Sequence, residues 1–160
     1  NWLILVPLVI ETIKNNGAEI TQILGYCRDF ISKFIQDYHQ LKEEDHLFSV
    51  LDKKLEILNN MYDEHEEIRF YARILLTAIG DNDNTAIKES LNTYQVVLSE
   101  HIKKEEEILY PWIERNLSDL QLNELSSEFL GFDTIHPNIS QFYRDIISEL
   151  EHRVNMLLEK

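Results

Sequence analysis

Glycine and proline are scarce in this chain, with four and three among 160 residues. A many-stranded sheet needs more turn residues than that, so an all-helical fold follows. A single cysteine, Cys27, excludes an internal disulfide. It sits within a helical pattern, reads as buried filler, and is compatible with a reducing, cytoplasmic compartment. Basic residues are few as well: 15 Lys and Arg against 29 Asp and Glu give a net charge of -14 and a pI near 4.7. That charge repels nucleic acid phosphates and anionic lipid, so neither is expected as a partner. The apolar run Trp2 to Ile10 is too short to span a bilayer and lacks the basic residues that precede a signal segment. It reads as a core helix in which Pro7 forms a kink or lies in the first turn. Nothing resembles a nucleophile and base pair or a phosphate loop, which points to a binding or sensing protein more than to an enzyme.

The length suits one domain with a real core. Helical periodicity predicts helices near 2–15, 20–51, 54–79 and 85–115, then a short helix at 119–130 and a last one reaching Leu158. Asn15, Asn16 and Gly17 read as a helix stop, Asp52 as a cap, GDNDN at 80–84 as a loop, and Ser118 as an N-cap. A break is expected from Gly131 to Pro137. The last helix is expected to pack through Ile139, Phe142, Ile146, Leu150 and Met156 or their neighbours.

Two segments share one pattern, H-x-x-K-E-E-x-x-L-[FY]: HQLKEEDHLF from His39 and HIKKEEEILY from His101. In each copy a histidine and a glutamate stand four residues apart, which stacks them on nearly one helix face, where they can grip a metal ion. Charge runs such as KKEEE are usually solvated faces. At about 100° per residue, however, Tyr94, Val97, Leu98, Ile108 and Trp112 fall within about 60° of His101. This places His101 and Glu105 on the buried face, and a buried glutamate needs a cation or another partner. The first copy is weaker, because Phe34, Tyr38 and Leu41 centre the apolar face about 100° away from His39. On the helix between them, His65 is centred on an apolar stripe through Leu58, Met61, Tyr62, Ile68, Ala72 and Leu75. His46 lies two turns after His39 and is a candidate supplementary ligand. His136 reads as a loop residue and His152 as solvated.

His65 precedes His101 by 36 residues. The same offset from His39 leads to the chain's start, which suggests a duplicated helical hairpin with a fourth ligand near or upstream of Asn1. No histidine stands there. The missing position is therefore expected to weaken metal binding unless His46 or Glu11 supplies it, and restoring a histidine-bearing segment ahead of Asn1 is expected to raise occupancy.

Through HQLKEEDHLF, the EHEEIR around His65 and HIKKEEEILYP, residues 1–115 resemble the hemerythrin-like, or HHE cation-binding, family. The resemblance implies an antiparallel four-helix bundle with a buried di-iron centre. It casts His39, His65 and His101 as imidazole ligands and Glu43 and Glu105 as bridging carboxylates. Residues 118–160 would form a C-terminal helical extension of the same single domain. Oxygen-carrying members have a second histidine where Arg69 stands, so the resemblance favours sensing, iron handling or oxidant chemistry with O2, nitric oxide or peroxide. Mixed imidazole and carboxylate donors suit iron or manganese, with zinc possible. A homodimer or a partner domain is compatible with this reading. The competing reading is a metal-free bundle for protein interaction, its histidines being core residues.

Overall fold

The computed structural model describes residues 2–14 and 17–159. The expected helix stop at Asn15 and Asn16 lies outside the described residues. Among those that are described there is no strand. Six helices follow one another: α1 is Trp2–Thr12, α2 spans 18–50, α3 is Glu56–Asp81, α4 spans 84–116, α5 is Asp119–Ile135 and α6 is Ile139–Leu158. The architecture is an antiparallel four-helix bundle, α1 to α4, with two additional C-terminal helices.

Local chemistry sets the ends of these helices. Asp83 caps α4 by accepting from the Thr85 and Ala86 N–H groups at 3.0 and 3.1 Å, and Asn82 turns the preceding loop at a positive φ of 55°. Ser118 and Gln121 form a reciprocal capping box at the start of α5. Asp52 does not cap α3. Its carboxylate accepts from the Lys54 N–H, and Leu55 holds the cap position instead. Gly131 does not break α5, because its φ is not positive and the buried Phe132 beside it anchors the helix; the break falls at 136–138.

Pro7 lies inside α1 and cannot donate to the Leu3 carbonyl. The side chain of Gln95 on α4 supplies that hydrogen bond at 2.8 Å. A local defect in one helix thus becomes a contact between two.

The apolar core comes in two parts. The larger joins Leu5, Val9, Ile31, Ile35, Ile68, Leu75, Leu91 and Leu98 with α6 residues Tyr143, Leu150 and Val154. The smaller joins Leu47, Phe48, Met61, Leu109, Ile113 and Leu125. Along α3, His65 stands between Met61 of the small cluster and Ile68 of the large one, and along α4, His101 stands between Leu98 and Leu109. A polar layer separates the two clusters.

The packing face of α6 differs in part from expectation. Leu150 is fully buried and Ile139 and Ile146 partly so, but Phe142 is 57% exposed and Met156 48% exposed, and Tyr143 and Val154 take their places inside. The inward arc is centred one residue further on than a stripe drawn through Phe142. Leu150→Ala is expected to destabilise the fold by about 2–5 kcal/mol, as for a truncated core leucine. Phe142→Ala should stay within about 0.5 kcal/mol in the same urea titration.

Candidate metal centre

Both copies of the pattern carry the same interruption of the helix. Glu43–Leu47 in α2 and Glu105–Leu109 in α4 are π-helical, with the Phe48 N–H bonding to the Glu43 carbonyl and the Tyr110 N–H to the Glu105 carbonyl. An offset of 62 residues relates His39 to His101, Glu43 to Glu105 and Phe48 to Tyr110. In α4, Pro111 has no N–H to close the next α-type bond, so it favours the looser turn. A π turn takes up one extra residue. Beyond it the inward positions move on by one: Leu109 and Ile113 are buried where Ile108 and Trp112 were expected, and Ile108 is 50% exposed. In α2 a further π segment, Phe30–Gln40, shifts the face so that Leu41 turns outward and Glu43 inward.

The result is a compact cluster. Glu43, His65, His101 and Glu105 are all buried, and one candidate ligand atom from each lies within 4.8 Å of the others. His65 Nε2 is 3.4 Å from Glu43 Oε2, and His101 Nε2 is 3.2 Å from Glu105 Oε1. His39 stands at the edge: its Nε2 is 3.7 Å from Glu43 Oε1 and its side chain is 37% exposed. Glu43 therefore turns one oxygen toward His65 and the other toward His39. Tyr110 donates its hydroxyl to Glu43 Oε1 at 3.2 Å.

The outward nitrogens of the two buried imidazoles are held as well. His65 Nδ1 is 2.6 Å from Glu44 Oε1, and His101 Nδ1 is 3.0 Å from Glu64 Oε2. Carboxylates only accept, so each Nδ1 carries the proton and each Nε2 of a neutral ring presents a lone pair inward. Those two Nε2 atoms lie 3.2 Å apart. Lone pairs cannot face each other at that distance without a proton or a cation between them. Glu43 Oε2 and Glu105 Oε1, also inside, have no hydrogen-bond partner. Four donors that lack hydrogen around one point are what a metal ion requires, and the donor set fits one.

Without metal, protons take the cation's part. Burial pushes Glu105 above the ordinary carboxyl range, and the neighbouring Glu43 charge adds to this against the pull of His101. Burial acts on Glu43 in the same direction, but the His65, His39 and His101 rings around it hold it below that range. For His101 burial opposes the charged ring, yet Glu105, Glu64 and Glu43 together raise it above the ordinary imidazole value.

The remaining histidines point elsewhere. His46 Nδ1 meets Glu128 on α5 at 3.3 Å and its ring packs on Phe132, so it does not supplement the cluster. Glu11 is exposed on α1. His136 packs on Phe132 and Tyr38, and His152 is exposed. Tyr62 is 37% exposed and leans edge-on against Phe48, which itself covers His65 at 5.3 Å. Sequence reasoning missed Glu44, Glu64 and Tyr110. The second glutamate of each motif, the EH dipeptide at 64–65 and the [FY] position were visible, but pairing across helices depends on the phase that the π turns set.

A family model described as the hemerythrin HHE cation binding domain matches residues 8–113, a span that includes all five candidate ligands. No curated protein and no solved structure matches the chain.

Metal and protons compete for the same atoms. Since the folded pKa of His101 is raised, the proton is held more strongly there than on an ordinary imidazole, and metal affinity must fall as pH drops through that raised value. Titrating Fe2+ or Zn2+ into the protein between about pH 8 and about pH 5 should show affinity falling steadily toward acid, with protons released on binding.

Proposed function

The chain belongs to the hemerythrin HHE cation-binding family, and from that premise we propose that it is a non-haem di-iron protein that binds O2 or a related diatomic or peroxide for sensing, storage or detoxification. The observation that carries this reading is the pair of Nε2 atoms 3.2 Å apart, each ring fixed from behind by a carboxylate. A metal-free bundle would have to hold those rings and two unpartnered carboxylate oxygens together with protons alone. Iron in such a donor set supplies a redox couple and an open coordination position.

Two ions would not be held alike. Four buried donors from Glu43, His65, His101 and Glu105 converge on one position, whereas toward His39 the chain offers that imidazole and Glu43 Oε1. No histidine of α1 joins them, the α1 residues nearest its start being Trp2 and Leu3. On this side an open cavity of about 280 Å³ is lined by Trp2, Leu3, Phe34, His39 and Leu98. Its apolar wall suits a small uncharged ligand approaching the less completely held ion. Phe48, Met61 and Leu109 limit water from the opposite end. Tyr110 donates its one hydroxyl proton to Glu43 Oε1 and so orients the oxygen that faces His39.

Anaerobic Fe2+ titration should resolve a tight step and a weaker one. Glu105→Gln and His65→Ala should weaken the tight step by more than the roughly 10–100-fold typical of a change behind a ligand. His39→Ala should remove the weak step and leave the tight one. A wild-type chain that takes up no iron under these conditions sinks the proposal and leaves the interaction bundle.

A further inference from the structure

Each carboxylate behind the buried imidazoles is itself held by a cation. On one side Glu44 Oε1 accepts from both His65 Nδ1 at 2.6 Å and Arg69 Nη1 at 2.8 Å, while Arg69 Nη2 donates to Glu66 Oε1 at 2.8 Å. On the other, Glu64 divides its oxygens: Oε2 faces His101 Nδ1 at 3.0 Å and Oε1 accepts from Lys104 Nζ. The two arrangements share one construction. A histidine and a cation stand one turn apart on a helix, His65 with Arg69 on α3 and His101 with Lys104 on α4, and the carboxylate between them comes from the preceding helix.

We propose that Arg69 and Lys104 are positioning residues of the metal centre, each pinning an outer carboxylate so that the imidazole it touches keeps its proton on Nδ1 and turns Nε2 inward. This rests on the metal-binding reading above. The physical need is specific. A carboxylate next to a ligand histidine can accept the ring N–H, or it can swing to the metal and become a ligand itself. Glu44 and Glu64 would also add two negative charges beside Glu43 and Glu105. A guanidinium or ammonium bound to the outer carboxylate occupies its lone pairs, offsets its charge and fixes its rotamer.

The two clamps differ in strength. Arg69 reaches two carboxylates and its side chain is 23% exposed, whereas Lys104 reaches one and is 47% exposed. Arg69 therefore contributes more, and the contribution of Lys104 is the one that salt screens.

Zinc, which is diamagnetic, is the probe. Its affinity and the two histidine Nδ1–H proton resonances are measured in wild type, Arg69→Gln, Arg69→Lys and Lys104→Gln. Arg73→Gln and Lys103→Gln serve as controls, removing the same charge from the same helices at side chains that contact neither Glu44 nor Glu64. Arg69→Gln should lower zinc affinity about tenfold and shift or broaden the His65 resonance. Arg69→Lys should fall between, because an ammonium keeps the charge but lacks the planar fork whose separate nitrogens reach Glu44 and Glu66. Lys104→Gln should lose no more than about fivefold, and that difference should vanish near 1 M salt. The controls should match wild type. If Arg69→Gln binds zinc like wild type with an unmoved Nδ1–H resonance, or if both controls weaken binding as much, the positioning role is wrong. If Arg69→Gln fails to fold, wild-type affinity and resonances in Arg69→Lys would overturn it equally. Absence of zinc binding by wild type itself would remove the metal-binding reading and this proposal with it.

Discussion

Two carboxylates and two imidazoles inside a helical core are the constraint to which the rest of the structure answers. Buried charge is tolerated only with a partner of opposite sign at close range. The chain meets this by giving a whole layer of the bundle to polar contacts, and the apolar core divides into two parts above and below it. The layer draws on three helices, which ties α2, α3 and α4 to one another through directional bonds as well as through packing. A cation in the middle would satisfy donors from all three at once, so metal binding and the stability of the bundle are one problem.

How far this was legible depends on where α-helical counting holds. On α3, which is α-helical throughout, the inward stripe of Leu58, Met61, His65, Ile68, Ala72 and Leu75 reads directly from the sequence, with Tyr62 at its margin. On α4 the count works as far as Glu105 and then fails by one residue, because the π turn inserts a position that a fixed 100° step does not contain. On α2 the failure comes earlier, and it explains why the first copy looked turned away from the core although Glu43 is 4% exposed. The spacing of His39 and Glu43 was visible without the phase. The outer carboxylates stayed out of view for the same reason, since Glu44 and Glu64 look like ordinary surface glutamates until the rings they serve are placed.

The motif-bearing part of α2 is held on both sides. Its inner face gives Glu43 to the polar layer. Its outer face presents Tyr38 and Lys42 to Asp133 of α5 at 2.7 and 2.6 Å, and His46 to Glu128. The C-terminal helices thus brace the segment whose backbone departs most from α geometry. Helix α6 does the same for the other end of the bundle, where its Tyr143 ring meets Phe30 and Phe34 of α2. An extension whose packing face the sequence reads only in part therefore supports the part of the backbone that aims the candidate ligands.

Apolar contacts between helices tolerate sliding, because one methyl group can replace another at similar energy. The bond from Gln95 to the Leu3 carbonyl, which the Pro7 nitrogen cannot reach with a proton, does not, since that carbonyl points one way. The proline therefore acts as a notch and the glutamine as a pawl, fixing α1 against α4 to the residue. A shift of α1 by a single turn would leave the notch empty and carry Trp2 and Leu3 away from the cavity beside His39. A single directional bond in the bundle thus helps to place two of the side chains that wall that cavity.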